Sequence, residues 1–246
     1  MTRHNMHSVS PFTTLIKRTP YGHSVDVYTT LHALKQNEQA SAWREESISR
    51  NSWLLVAAPH GGTIEPFTQV IARQLAYPHY SLFLFEGLRR PGRALHVTST
   101  RFRAPELARL QQDARVTLAI HGMKGRLQRL TLTGGLNTLL QRHLCEALQS
   151  GGFATGLCGG SLSGMNPDNF INLTPEYGVQ LEISRGERDA LREDPQRFHH
   201  YLEQLRRGIA NYQATCLHHR QAIPLNALKH IMPDKTRPRT LCRDMR

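Results

Sequence analysis

The feature that most constrains the fold is the segment of residues 53–66, which reads WLLVAAPHGGTIEP. Its first six residues are apolar, and this pattern predicts a buried strand that ends at a proline. Gly61 and Gly62 then allow a sharp turn, because glycine tolerates positive φ without steric cost. Thr63 is suited to capping a helix that opens with Glu65. The segment therefore predicts a strand that passes into a helix, and in open α/β sheets such junctions form ligand sites.

Two histidines occupy equivalent positions at the ends of predicted strands. His60 follows the strand that ends at Pro59, and His121 follows a strand predicted over residues 115–120; a glycine comes next in both cases. Glu65 opens the helix after the first strand. Because the carboxyl ends of parallel strands meet at one edge of a sheet, we expect these three side chains to converge. Two histidines and a carboxylate with an open fourth position are typical of hydrolytic zinc sites, which predicts one bound Zn²⁺.

A hydrolytic zinc site also needs a general base that is not a metal ligand, and Glu182 is the candidate. It lies on the polar face of a strand predicted over residues 179–184. A buried carboxylate is costly unless it is paired or functional. The alternative is that Glu182 pairs with Arg185 or Arg188 and has only a structural role.

The metal ligands have alternatives as well. His60 and Glu65 can hydrogen-bond one another in a loop without any metal. His96 is a second candidate ligand, within a strand predicted over residues 95–100. A lone histidine on a strand is more often a structural residue, so His96 ranks behind the other three.

The remaining sequence alternates between strand and helix patterns. Strands are predicted to end at residue 59 and to span 81–85, 95–100, 115–120, 127–132 and 179–184. Helices are predicted over 28–39, from 64 to a stop at Pro78, and over 105–112, 136–149 and 195–216. Residues 43–51 are predicted to be a charged connection, and 154–164 a loop. This alternation predicts an α/β fold, with a mixed, mostly parallel central sheet and helices on both faces.

The length of 246 residues fits one domain. We expect a poorly ordered lead-in at 1–20, an α/β hydrolase-type catalytic domain at 21–232 and a basic tail at 233–246. Lysine and arginine number 31 against 19 acidic residues, a net charge of +12. Such a charge attracts polyanions, either nucleic acid or an acidic polymer used as substrate. The tail favours nucleic acid, although it can equally serve solubility alone.

The sequence predicts a cytoplasmic protein with no membrane association. No apolar run approaches the length of about 18 residues that a membrane span needs. Residues 1–10 lack the apolar core of a secretory signal. The four cysteines are widely spaced and form neither a thiolate zinc pattern nor a disulfide framework: Cys145, Cys158, Cys216 and Cys242.

Five stretches in chain order carry a family resemblance: APHGGTIE at 58–65, LHVTST at 95–100, AIHG at 119–122, PDNFIN at 167–172 and GVQLE at 178–182. Together they resemble the poly-γ-glutamate hydrolases, which are phage- and prophage-associated zinc peptidases with a carboxypeptidase-like α/β fold. The resemblance implies zinc at His60, Glu65 and His121, with Glu182 as the catalytic carboxylate. It also implies hydrolysis of γ-linked amides in poly-γ-glutamate, a polyanion that suits the charge. A phage-encoded protein would be released by host lysis.

The sequence departs from the family pattern at two positions. Where the family reads Asn-Ile-x-Asn-Arg, residues 169–173 read NFINL, so that Leu173 replaces an arginine suited to a substrate carboxylate. Asn169 and Asn172 are retained and are expected to contact substrate. Arg101 stands where the family pattern has a histidine, and we expect it to supply the missing positive charge.

Three functions are therefore compatible with the sequence. The first is a zinc-dependent amidohydrolase or peptidase that cleaves γ-glutamyl linkages. The second is a non-enzymatic phage-associated protein that binds nucleic acid through its basic tail on a degenerate hydrolase scaffold. The third is an amidase for a different, small acidic substrate.

Overall fold

The computed structural model describes residues 26–222 of the chain. The predicted lead-in at 1–20 and the basic tail at 233–246 lie outside the described residues. Seven strands are present: β1 (Trp43–Ile48), β2 (Leu54–Gly62), β3 (Ser81–Gly87), β4 (Val116–Met123), β5 (Thr131–Gly134), β6 (Thr155–Leu157) and β7 (Gly178–Ser184). Six α-helices accompany them: α1 (Leu31–Asn37), α2 (Thr68–Ala76), α3 (Pro105–Asp113), α4 (Thr138–Ser150), α5 (Arg185–Glu193) and α6 (Pro195–Ala222).

The strands form one sheet in the order β1-β3-β2-β4-β7-β5-β6. The four central strands are parallel to one another, and β5 and β6 are parallel as well. The β1–β3 and β5–β7 pairs are antiparallel. The fold is thus α/β with a mixed, mostly parallel sheet, as the sequence predicted. No helix in the described range is both long and apolar enough to cross a membrane.

Helices cover both faces of the sheet because successive strand residues point to opposite sides. On β2, Leu54, Val56 and Ala58 face a core shared with α2, α4, α5 and α6. Leu55 and Ala57 face a second core shared with α1 and α3. Burial on both faces explains why this strand reads as an unbroken apolar run rather than an alternating one.

The charged segment at 43–51 is not a connection, and that prediction is wrong. Most of it forms β1, an edge strand paired with β3. Its charged side chains form ion pairs: Lys35–Glu45 at 2.5 Å and Arg44–Glu86 at 2.9 Å, together with Arg73–Glu46. Charged residues are common on edge strands, where they discourage pairing with other chains, so the charge concealed the strand. The predicted loop at 154–164 likewise contains the short strand β6.

Two further predictions, both for segments next to the candidate site, are wrong. Residues 95–100 are not a strand; a 3₁₀ helix at Gly92–Leu95 leads into irregular chain. Helix α2 begins at Thr68 rather than near residue 64, because Phe67 adopts a left-handed conformation with φ of 80°. Thr63 caps no helix, since its hydroxyl donates to the carbonyl of Gly87 at 3.0 Å. Glu65 therefore lies in a turn between β2 and α2.

The end of β2 depends on a close backbone approach at Gly62. This residue has φ of +68°, and a Cβ built there would lie 2.2 Å from the carbonyl oxygen of Gly87. Gly152 has a similar φ of +77° but no atom within 4 Å of a built Cβ. A residue with a Cβ would therefore be strained at both positions, but it would be crowded only at position 62.

We expect Gly152→Ala to lower the free energy of unfolding by about 1–2 kcal/mol, the cost of left-handed backbone for a residue with a Cβ. Gly62→Ala adds the cost of crowding, for a total loss of about 2–5 kcal/mol. Urea unfolding of the two variants measures the difference. Equal losses would show that the Gly87 carbonyl moves aside freely and does not constrain this turn.

Candidate metal centre

The candidate ligands meet at the carboxyl ends of adjacent parallel strands. His60 lies near the end of β2, and His121 near the end of β4, which pairs with β2. The turn after β2 returns to the strand through a 2.7 Å hydrogen bond from the Glu65 N–H to the His60 carbonyl. Ligand atoms of His60, Glu65 and His121 all lie within 4.8 Å of one another. The structure thus brings together the three residues that the sequence predicted as metal ligands.

The ring of His60 is held by contacts on both nitrogens. Its Nε2 lies 2.8 Å from the carbonyl oxygen of Val97, which only accepts, so Nε2 carries a proton. Its Nδ1 lies 3.0 Å from Oε1 of Glu65. In a neutral ring this Nδ1 lone pair would face a carboxylate oxygen. The two atoms therefore need a cation between them, either the proton of an imidazolium or a metal ion.

Electrostatics around the pair agree with that need. Burial alone would lower the pKa of His60, but the carboxylate of Glu65 outweighs it and raises the pKa above its ordinary value. Burial alone would raise the pKa of Glu65, yet His60 and His121 hold it well below the usual range. Glu65 is therefore ionised at neutral pH and attracts positive charge to this point.

The second oxygen of Glu65 joins His121 to the group. Oε2 accepts a 2.8 Å hydrogen bond from the Gly122 N–H and lies 3.5 Å from Nδ1 of His121. Nε2 of His121 is buried and has no hydrogen-bond partner within the described part of the chain. Two imidazoles and one carboxylate suit zinc, and contacts from Val97 and Gly122 are the outer support that oriented ligands need. The donor set therefore fits a zinc ion.

Glu182 lies beside the three candidate ligands. It is directly opposite His121 in the β4–β7 register, and 5% of its surface is exposed. Burial raises its pKa to about 7; Glu65 acts in the same direction, and His121 and Arg188 oppose it. Its Oε1 accepts a 3.2 Å hydrogen bond from Nε2 of Gln180. A carboxyl group with this pKa exchanges protons readily near neutral pH.

Neither arginine proposed as a structural partner hydrogen-bonds Glu182. Arg185 bonds to Asp189 at 2.7 Å. Arg188 is buried and donates to three backbone carbonyls: Ile183 at 3.1 Å, Pro66 at 2.6 Å and Met123 at 3.2 Å. Its guanidinium thereby ties the turn after β2 to the ends of β4 and β7.

His96 lies against the site but does not join the group of three. Its ring centroid is 4.1 Å from that of His60, and its Nδ1 lies 2.6 Å from Oδ1 of Asp26. Asp26 also accepts a 2.7 Å hydrogen bond from the Thr98 N–H. Burial and the positive charge of His60 lower the pKa of His96 to about 4, against the opposing effect of Asp26. His96 is thus a neutral ring that contacts a candidate ligand.

Asp26 is a site residue that the sequence analysis missed. It is separated from His96 by 70 positions, and no motif surrounds it. Only the tertiary fold brings this carboxylate to the cavity, where it holds both the His96 ring and the backbone at Thr98.

Of the three predicted substrate-binding residues, only Asn169 lines the cavity beside the candidate ligands. The Asn169 side chain borders the cavity and donates to Oε1 of Gln180 at 3.1 Å. The Asn172 amide donates to the carbonyls of Gly164 at 2.8 Å and Asn166 at 2.9 Å, so it supports a loop. Arg101 is exposed and is not among the residues that line the cavity. Their roles in substrate binding remain predictions.

One cavity of about 950 Å³, the metal-site cavity, is bordered by the three candidate ligands and by Glu182, His96, Asp26 and Asn169. Its lining also includes the loop at 160–166, Ile64 in the turn after β2, and residues 98–100. The candidate ligands, Glu182 and two basic side chains, Arg93 and Lys124, share its lining. This size accommodates several residues of an extended substrate.

The sequence profile of the poly-gamma-glutamate hydrolase family matches residues 28–212. Two proteins of Bacillus subtilis (strain 168) are similar in sequence. The SPbeta prophage-derived protein YoqZ is 35% identical over 169 residues, which cover 67% of this chain and 61% of YoqZ. YndL is 34% identical over 170 residues, 68% of this chain and 67% of YndL. The chain thus spans about three fifths of YoqZ.

Two solved structures share the fold. A bacteriophage poly-gamma-glutamate hydrolase superposes with a TM-score of 0.74 at 30% identity, covering 78% of this chain and all of that one (100%). The zinc-free apo form of YndL superposes with a TM-score of 0.72 at 31% identity, covering 76% of this chain and 98% of that one. With the profile match across most of its length, the chain belongs to the poly-γ-glutamate hydrolase family.

Proposed function

We propose that this protein is a zinc-dependent hydrolase that cleaves amide bonds of an acidic substrate, namely the γ-glutamyl linkages of poly-γ-glutamate. The observation that carries the proposal is the convergence of His60, Glu65 and His121 within 4.8 Å on the wall of a large cavity. Family membership and the zinc-free form known for YndL support it.

The metal would be held by the two imidazoles and the Glu65 carboxylate. When bound, zinc supplies Lewis acidity, which polarises the amide carbonyl and makes water more acidic. The chain prepares this position in advance. The Val97 carbonyl fixes the His60 ring, and the Gly122 N–H fixes the Glu65 carboxylate. Held in this way, the donor atoms need little rearrangement on binding.

Glu182 is the proton carrier in this proposal. With a pKa of about 7, its carboxylate accepts a proton from the attacking water and then donates it to the leaving amine nitrogen. The hydrogen bond from Gln180 to Oε1 at 3.2 Å orients the group and leaves Oε2 as the oxygen that carries the proton.

Gln180 also connects the proton carrier to the cavity wall. Its Nε2 donates to the Leu162 carbonyl at 2.8 Å as well as to Glu182. The loop at 160–166 is held by this bond and by the Asn172 amide. A substrate that packs on the loop is thereby placed in register with the Glu182 carboxylate.

The cavity combines acidic side chains with two basic ones that can attract an acidic substrate, and Arg93 lies 3.8 Å from Asp26. Arg93 and Lys124 lie in its lining, and neither position belongs to the motifs that carry the family resemblance. Leu173, which replaces the expected family arginine, is 48% exposed and does not line the cavity. The nucleic-acid alternative depends in part on the basic tail at 233–246, which lies outside the described residues, and it stays a prediction.

Zinc binding is the first test of the proposal. We expect one zinc ion per chain, measured by elemental analysis and by isothermal titration of the metal-stripped protein. His121→Gln should weaken zinc binding at least about 100-fold. Loss of a residue that only supports a ligand lowers metal affinity by about 10–100-fold, and loss of the ligand itself should lower it more. His199→Gln, at an exposed position on α6, is the matched control and should bind normally. Unchanged affinity in His121→Gln would remove this residue from the metal site.

Turnover tests the role of Glu182. Glu182→Gln should retain zinc and lose about 10²–10⁴-fold in kcat on poly-γ-glutamate, since the amide cannot carry the proton. Glu106→Gln, exposed on α3, is the control for loss of one carboxylate. Chain length by gel electrophoresis and release of free amines give the rates. Full activity of Glu182→Gln would exclude the proposed role of Glu182. If the unmutated protein cleaves N-acylated glutamates but not poly-γ-glutamate, its substrate is a small acidic amide instead.

A further inference from the structure

A second cavity adjoins the metal-site cavity and is lined by four arginines. Its volume is about 710 Å³, and Ile64 belongs to the lining of both cavities. We call it the arginine cavity, after the four arginines in its lining: Arg90, Arg126, Arg185 and Arg192. The remaining lining residues carry no charge: Thr63, Ile64, Pro66, Pro91 and Gly92.

The positive charge of this cavity is only partly compensated. Arg185 and Arg192 share one carboxylate, Asp189, at 2.7 and 3.0 Å. Arg192 also lies 3.9 Å from the exposed Glu193. Arg90 and Arg126 have no carboxylate partner among residues whose side chains are described. Like charges repel when they are held around one concavity, so an anion bound there would lower the energy of the arrangement.

Close backbone packing fixes the segments that carry three of these arginines. A Cβ at Gly92 would lie 1.9 Å from the carbonyl oxygen of Thr63, so the segment carrying Arg90 is packed directly on the turn after β2. A Cβ at Gly186 would lie 2.5 Å from the carbonyl oxygen of Arg126. The first turn of α5, which carries Arg185, is therefore packed on the loop that carries Arg126. The backbone around the cavity is thus fixed before binding, which reduces the entropic cost of binding.

Basic residues line both cavities, which share Ile64. Arg93 and Lys124 line the metal-site cavity, whereas Arg90 and Arg126 line the arginine cavity. Arg90 and Arg93 belong to one short segment of the chain, and Lys124 and Arg126 to another, so each segment contributes a basic residue to both cavities. An extended anionic chain that leaves the metal site along this route would meet positive charge at successive positions.

We propose that the arginine cavity binds carboxylates of the polymeric substrate at residues remote from the bond that is cleaved. The proposal rests on the function proposed above, and it assigns a substrate-binding site to residues outside the catalytic group. Guanidinium groups match carboxylates in a planar, two-point geometry. The cavity lining contains no aromatic side chain on which a nucleobase could stack, which favours a carboxylate polymer over nucleic acid.

The double variant Arg90→Gln/Arg126→Gln tests this assignment. We expect the Kd for long poly-γ-glutamate, measured on the Glu182→Gln background by fluorescence anisotropy, to rise about tenfold. In the active enzyme, kcat/KM for the long polymer should fall about tenfold relative to kcat/KM for a γ-linked glutamate dimer, which contains one linkage. The matched control is Arg109→Gln/Arg142→Gln, which removes two charges at exposed positions outside both cavities.

The two readouts separate this proposal from the catalytic one. Suppose that the protein hydrolyses the polymer, but the double variant changes neither the polymer Kd nor the kcat/KM ratio by more than the control does. This result would overturn the proposed role of the arginine cavity and leave the hydrolase proposal intact. Polymer binding that weakens tenfold in a protein without hydrolytic activity would support the cavity and refute the hydrolase. A loss confined to binding of single-stranded oligonucleotides would also overturn the proposal, since it would assign the arginines to phosphate.

Discussion

The contact on which the site depends is the one between Nδ1 of His60 and Oε1 of Glu65, which lie 3.0 Å apart with 2% and 13% of their side chains exposed. Because Nε2 keeps its proton to donate a hydrogen bond to the Val97 carbonyl, Nδ1 of the neutral ring has a lone pair, and two electron-rich atoms face each other unless a cation lies between them. A proton satisfies this requirement in the metal-free protein, and a bound divalent ion would satisfy it with His121 as a third donor. The geometry thus makes protonation and metal binding competing states of one position, as expected when ligands must lose protons to bind.

Burying such a charged group is unfavourable unless the surroundings compensate it. Here the compensation for the Glu65 carboxylate comes mainly from the imidazoles of His60 and His121, and a backbone N–H adds to it. The Gly122 N–H neutralises part of the charge on Glu65, and Arg188 adds a cation whose hydrogen bonds go to carbonyls rather than to a carboxylate. A side chain at position 122 would displace that guanidinium, since a Cβ there would lie 2.5 Å from its Cζ. The sheet edge is therefore shaped to hold a charged site rather than to complete a hydrophobic core.

The sequence predicted the parts of this arrangement that follow from strand periodicity. An apolar strand followed by histidine and glycine, found twice, was enough to place His60 and His121 at one sheet edge, and a carboxylate on a buried strand identified Glu182. The missed features depend on tertiary contacts. The edge strand β1 is charged because it is at an edge, and the turn containing Glu65 is set by Phe67 at positive φ, which no helix propensity predicts. Asp26 lies 70 positions before His96 in the sequence, and no motif around it indicates that it belongs to the site.

The same distinction bears on substrate recognition. From the sequence, Arg101 was expected to supply the positive charge for an acidic substrate, because Leu173 replaces the arginine of the family pattern. In the structure neither residue lines the metal-site cavity, and the basic side chains nearest to it come from segments with no recognised motif. Charge attraction falls off gradually with distance and does not require one fixed position, unlike metal ligation. A hydrolase can therefore retain its ligand set while its substrate-binding charges shift among neighbouring loops, and the loss of one motif arginine is weak evidence for a loss of substrate.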